Sequence, residues 1–79
     1  MLLLFTAENC YACSKLKGFL DLKGTEYRSV DVDSNCAMAA EYCVRALPTL
    51  VCVDDNLHEK WRVVGFSTKE LNKKLKEVK

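Results

Sequence analysis

The stretch Leu2-Leu3-Leu4-Phe5-Thr6-Ala7-Glu8-Asn9-Cys10-Tyr11-Ala12-Cys13 constrains the fold more than any other part of the chain. Its first half, "LLLFT" at 2 to 6, is a short unbroken apolar run that meets polar residues at once. That pattern suits a strand covered on both faces, as in a parallel sheet. From Tyr11 to about Lys23 the period changes. Ala12, Leu16, Phe19, Leu20 and Leu22 recur at helical spacing, Lys15, Lys17 and Lys23 are free to face water, and Gly24 supplies a stop. The reading is strand, short loop, helix, with two thiols where the helix begins. Gly18 falls inside that helix at a cost of about 1 kcal/mol relative to alanine.

Beyond Gly24 the pattern repeats and then alters. "TEYRSVDV", 25 to 32, reads as a second strand, and Asp33-Ser34-Asn35 offers capping side chains for a helix from about Cys36 to Tyr42. Two apolar runs, 49 to 53 and 60 to 64, flank Asp54-Asp55-Asn56 and predict an antiparallel hairpin. Ser67 followed by Glu70 is a capping box, and Phe66, Leu71, Leu75 and Val78 lie three or four residues apart, predicting a third helix. The order β-α-β-α-β-β-α puts a right-handed parallel crossover in the first half and a hairpin in the second, as one domain over residues 1–79.

Seventy-nine residues give a marginal core, and chains of this size often recruit disulfides or a metal, so five cysteines require an explanation. A formal net charge of +1 provides no basic field for nucleic acid or a membrane surface. No apolar run approaches the roughly 20 residues of a membrane span. The opening "MLLLFTA" lacks a basic leader and meets Glu8 at once, which favours a buried strand over a signal peptide. An odd number of cysteines without a secretion signal fits a reduced, cytoplasmic protein. Lys69, Lys73, Lys74, Lys76 and Lys79 crowd the C-terminal region, where cations complement a helix dipole on a solvated face.

The thiolate, not the thiol, attacks disulfides, and a helix N-terminus stabilises it through free N–H groups and the dipole. Cys10 stands at that place. Cys13, three residues on, shares its helix face one turn inward and is better shielded. Cys10 is then the attacking group, and Cys13 releases the product by closing a Cys10–Cys13 disulfide. The same spacing also serves zinc, for which Cys36 and Cys43 are the available second pair; their gap is unlike a zinc turn, and His58 has no second ligand beside it. Singly, Cys36, Cys43 and Cys52 read as small buried hydrophobes, with an auxiliary Cys36–Cys43 pair as the alternative. Pro48 opens the third strand, either as a rigid trans entry or as a cis peptide that frees the Leu47 backbone for an extended substrate; cis is found at about 5% of such bonds.

Taken together, "LLLFTAENCYACSKL", "VDVDSNCAMAAEYCVRALPTLV" and "VVGFSTKELNKKL" resemble the thioredoxin superfamily over nearly the whole chain, in a short form without the extra N-terminal strand and helix of full thioredoxins. CxxC followed by Ala46-Leu47-Pro48-Thr49 and then Val64-Gly65 carries that resemblance. It implies a thioredoxin-like fold of glutaredoxin size, α/β, with a central four-stranded mixed sheet flanked by three helices. It further implies Cys10 as nucleophile, Cys13 as resolving thiol, Pro48 as a cis proline packed against them, and Tyr11, Leu47, Gly65 and Phe66 on the substrate-holding rim. Neither a cofactor nor a metal is implied.

The departures narrow the subfamily. Where a full thioredoxin has tryptophan, Gly-Pro and a buried aspartate, this chain has Asn9, Tyr11-Ala12 and Leu4, so deprotonation of Cys13 falls to water or another group. Glutaredoxins usually carry Pro-Tyr between the thiols, a lysine two residues before the first and a glycine-rich turn that grips glutathione. Here those places hold Tyr11-Ala12, Glu8 and Gly65-Phe66-Ser67-Thr68, and Glu8 would repel the glutathione carboxylates. The resemblance therefore implies a protein-disulfide reductase similar to the small electron donors of ribonucleotide reductase, whose Trp-Ser-Gly-Phe segment is echoed from Trp61 to Phe66. Its expected partners are a disulfide-containing protein and a flavin-dependent reductase, with glutathione as the alternative donor; the expected state is a monomer. A zinc-binding or interaction module on the same fold is the alternative from another class.

Overall fold

A computed structural model describes residues 1–76, so Val78 and Lys79 of the expected third helix lie outside the described residues. The elements are β1 (Leu2–Thr6), α1 (Tyr11–Leu22), β2 (Arg28–Asp31), α2 (Cys36–Glu41), β3 (Thr49–Val53), β4 (Glu59–Val64) and α3 (Thr68–Leu75). The strands form one mixed sheet in the order β2-β1-β3-β4, with β1 parallel to β2 and antiparallel to β3, and β3 antiparallel to β4. β1 is central and all five of its residues are buried, which is why its sequence shows no polar alternation.

Successive side chains of a strand point to opposite faces, so β1 and β3 each feed two cores. Leu2, Leu4, Leu50 and Cys52 meet Leu16, Leu20 and Leu71 from α1 and α3. Leu3, Phe5, Val51 and Val53 meet Ala39 and Tyr42 from α2 and its C-cap. Each fully buried leucine contributes about 1.5–3 kcal/mol of transfer free energy. Leu22 departs from the expected apolar face and is 90% exposed. Counted from Leu20 it is about 200° around the helix, away from the core.

Element ends differ from expectation where side chains intervene. β2 is confined to 28–31 within the expected 25–32. The hairpin loop runs over 54–58, longer than Asp-Asp-Asn, because the Asp54 carboxylate accepts the N–H groups of both Asn56 and His58 at 2.9 Å. A register shift at Cys52/Val53 accompanies it. Helix α1 ends as expected at Gly24, whose φ of +65° lets its N–H reach Asp21 O and the next N–H, of Thr25, reach Leu20 O. Helix α2 ends in the same motif, with Cys43 at φ +54° where glycine is usual. Among the described residues no helix is long and apolar enough to cross a membrane.

Candidate active site

The sheet register gathers three separate segments at one end. Phe5 pairs with Thr49, Thr6 with Asp31, and Thr49 with Val64, so the loops 7–10, 47–48 and 65–67 all leave from the same edge. The first of them rises from β1 into α1. Its turn passes through Asn9 at φ +59°, a conformation asparagine tolerates, and delivers Cys10 as the N-cap residue of α1.

An N-cap side chain normally accepts a backbone N–H of the first turn, and here the acceptor is sulfur. The N–H of Cys13 points at Cys10 Sγ at 3.2 Å. The two Cα atoms are 5.2 Å apart, and the sulfurs lie within bonding distance as a Cys10–Cys13 disulfide. Cys10 is half-buried, whereas Cys13 is 1% exposed. The two sulfurs are thus chemically alike and sterically unequal: a large partner reaches Cys10 and not Cys13. Leu4, at the position where the resemblance sets a buried aspartate in full thioredoxins, is fully buried in the α1-side core.

The proline segment sits on the other side of that end. The Leu47–Pro48 peptide is cis. Pro48 is buried, and Leu47 is half-buried against the α2-side core. Gly65, at φ +82°, donates its N–H to Pro48 O at 2.7 Å and so ties the loop after β4 to the proline segment. Phe66 packs edge-on against Phe19 of α1, ring centroids 6.0 Å apart. Tyr11, between the two cysteines, is 77% exposed.

The structure therefore brings Tyr11, Leu47, Pro48, Gly65 and Phe66 to the same end as the thiols. It does not bring Trp61 there. Trp61 pairs with Cys52 on β4, three residues from the site end of the strand, with its ring half-buried against the core. Cys52 is buried, as its place in "LVCVD" suggests, but Cys36 and Cys43 are exposed free thiols rather than buried hydrophobes. An auxiliary Cys36–Cys43 pair is not formed: Cys36 opens α2, Cys43 lies past its C-cap at φ +54°, and both are free thiols. Among the described residues no three His, Cys, Asp or Glu side chains are grouped to hold a metal ion.

Lys15, expected on the solvated face of α1, is exposed and lies next to two residues at the thiol end. Its ammonium lies 5.1 Å from the Tyr11 ring centroid and 5.7 Å from that of Phe66. The spacing Tyr11, Lys15, Phe19, Lys23 at intervals of four signals half of this arrangement; Phe66 arrives only through tertiary packing. An open polar depression of about 460 Å³ beside the cysteines is lined by Thr6, Glu8, Asn9, Tyr11 and Lys17.

A vicinal dithiol at the start of a helix, half of it accessible and half buried, at the strand ends of a mixed sheet, defines a thiol–disulfide oxidoreductase. Comparison with known proteins agrees. The family model described as thioredoxin matches residues 1–77. The SPbeta prophage-derived thioredoxin-like protein YosR of Bacillus subtilis (strain 168) is 31% identical over 71 residues, covering 90% of this chain and 89% of that protein. The thioredoxin of Fasciola hepatica superposes with a TM-score of 0.79 at 30% identity, over 99% of this chain and 79% of that one. The thioredoxin NaTrxh from Nicotiana alata gives a TM-score of 0.85 at 27% identity, over 96% and 70%. The chain belongs to the thioredoxin family and is a dithiol–disulfide oxidoreductase acting on disulfide-containing substrates.

Proposed function

We propose that the protein reduces protein disulfides with Cys10 as nucleophile and Cys13 as resolving thiol. The observation that carries this is the inequality of the two sulfurs: Cys10 Sγ is half-accessible and already accepts the Cys13 N–H, while Cys13 is 1% exposed. In the reduced protein that N–H and the helix dipole stabilise a Cys10 thiolate. Its attack breaks the substrate S–S bond, forms a Cys10–substrate disulfide and expels one substrate thiolate, which takes a proton. Cys13 then loses its proton and attacks Cys10 Sγ, forming the Cys10–Cys13 bond and expelling the second substrate thiolate. Two electrons leave the protein. With leucine at position 4 in place of the buried aspartate of full thioredoxins, the proton goes to water or to a group reached through the polar depression.

The rim role belongs, in this reading, to Tyr11, Leu47, Pro48, Gly65 and Phe66, supported by their convergence on the thiol end of the sheet. Residues 1–79 work as one domain, in the cytoplasm and as a monomer. The electron source is a flavin-dependent reductase of the thioredoxin-reductase type, and the role is that of a ribonucleotide-reductase electron donor. Support comes from Glu8, which lies beside Cys10 and opposes the carboxylates of glutathione, and from Gly65-Phe66 on the rim; Trp61, packed on the core, lends this reading none.

Insulin reduction driven either by thioredoxin reductase with NADPH or by glutathione with glutathione reductase tests the assignment. Turnover with the flavoenzyme is the expected result. Turnover with glutathione alone would make the protein glutathione-coupled, and stoichiometric zinc in protein purified under reducing conditions would favour the metal-binding module.

A further inference from the structure

Three charged side chains, Glu8, Lys15 and Lys17, stand near the thiols, and Lys15 is set apart by its surroundings. Glu8 and Lys17 both line the polar depression beside the thiols, so charges of both signs stand there. Lys15 is exposed, and among the described residues no carboxylate pairs with it. Arg62, by contrast, is engaged by Glu59, and Lys23 lies over Phe19 two helical turns beyond Lys15. A free lysine side chain samples many rotamers, but the Lys15 ammonium is placed over two rings at once, Tyr11 one turn before it and Phe66 from the loop ahead of α3. Phe66 is in turn fixed against Phe19. The result is a localised positive charge one turn from Cys10, on a rim that an incoming chain must cross.

We propose that Lys15 is a specificity-determining residue that pairs with a carboxylate next to the target cysteine of a protein disulfide. The inference rests on the reading of Cys10 as nucleophile. A substrate lying across the rim places the residues flanking its cysteine over Tyr11 and Phe66, where the ammonium offers donors to an aspartate or glutamate. The exposed setting limits the gain to about fivefold for one charge pair and makes it sensitive to salt.

The test uses three disulfide-linked peptides identical except for Asp, Asn or Lys beside the target cysteine, with kcat/KM for their reduction measured for the wild type, Lys15→Gln and Lys15→Arg. The wild type is expected to prefer the Asp over the Lys peptide by about fivefold at low ionic strength, falling toward unity near 0.5 M salt, roughly three times physiological strength. Lys15→Gln lowers the Asp-to-Lys ratio to near unity, mainly through KM, and Lys15→Arg restores it. An unchanged ratio in Lys15→Gln overturns the proposal. So does a Lys15→Gln loss that is equal for all three peptides, which marks a structural role. If the wild type reduces none of the peptides, it is the Cys10 reading that fails. Circular dichroism of both variants establishes that they fold.

Discussion

Helices α1 and α2 each start at a cysteine, Cys10 as the N-cap of one and Cys36 as the first residue of the other, yet only one start has the form of a redox site. The dipole is common to both. What differs is the next turn. In α1 the cap sulfur accepts the N–H of Cys13, a second sulfur buried at 1% exposure. In α2 the residue one turn on from Cys36 is Ala39, and the cap residue Asn35 turns its amide away to donate to Asp31 O at 3.0 Å. Length separates them too, 12 residues against six, as does the C-terminal residue, Gly24 against Cys43. A thiol at a helix start is thus common to both, and chemistry requires a second thiol held close and covered.

The most severe way to break the contrast is Cys10→Ser, which should reduce insulin-disulfide turnover to background, while Cys13→Ser retains the first attack and accumulates mixed disulfides visible by non-reducing electrophoresis. Cys36→Ser should leave turnover within about twofold, the usual neutrality of an exposed site outside any network. Native-state alkylation sharpens the same point: Cys36 and Cys43 should react, and Cys52, at 4% exposure, only after unfolding. A smaller effect is expected at Cys43. Its φ of +54° costs a side-chain-bearing residue about 1–2 kcal/mol, and glycine returns part of that as unfolded-state entropy. Cys43→Gly should therefore raise stability by about 0.5–1 kcal/mol in a urea titration.

The smallest effect is electrostatic. Arg62 donates to Tyr42 O at the end of α2 and to both oxygens of Glu59. Hydrogen bonding from Arg62 holds the Glu59 carboxyl below its ordinary value, against a counteracting desolvation. A group whose folded value is depressed stabilises above the unfolded value and loses that contribution as pH falls through the folded one. The wild type should lose a small increment of stability below about pH 4.3, the unperturbed glutamate value. Glu59→Gln should lack that increment, which urea midpoints between acid and neutral pH would reveal.

Local physics made much of this legible. The apolar run of β1, the change of period at Cys10, the glycine stop of α1 and the Ser67 cap all act within a few residues, and each appears where the sequence places it. The cysteine pair was legible for the same reason. Pro48 was different, since residues alone leave its isomer open and only the resemblance to a family implied cis. What escaped depends on helix phase, on side-chain bonding in a loop and on one distant partner. Leu22 looked apolar and therefore inward, but helix phase turns it out. The hairpin loop lengthened because the Asp54 carboxylate, a side chain, closed it. Lys15 joined the site because Phe66, fifty-one positions later in the chain, came to lie beside it.

The bond from Gly65 N–H to Pro48 O joins two loops seventeen positions apart, and its consequence lies in entropy. Two independent loops would each have to be arrested when an extended chain lands across them, and every arrest subtracts from affinity. Joined at their base, they form a single jaw whose shape exists before anything enters it. In the proposed reading, where these loops hold the substrate, the ordering cost of recognition falls on the incoming chain, and flexible disulfide segments bear most of the entropy of their own capture.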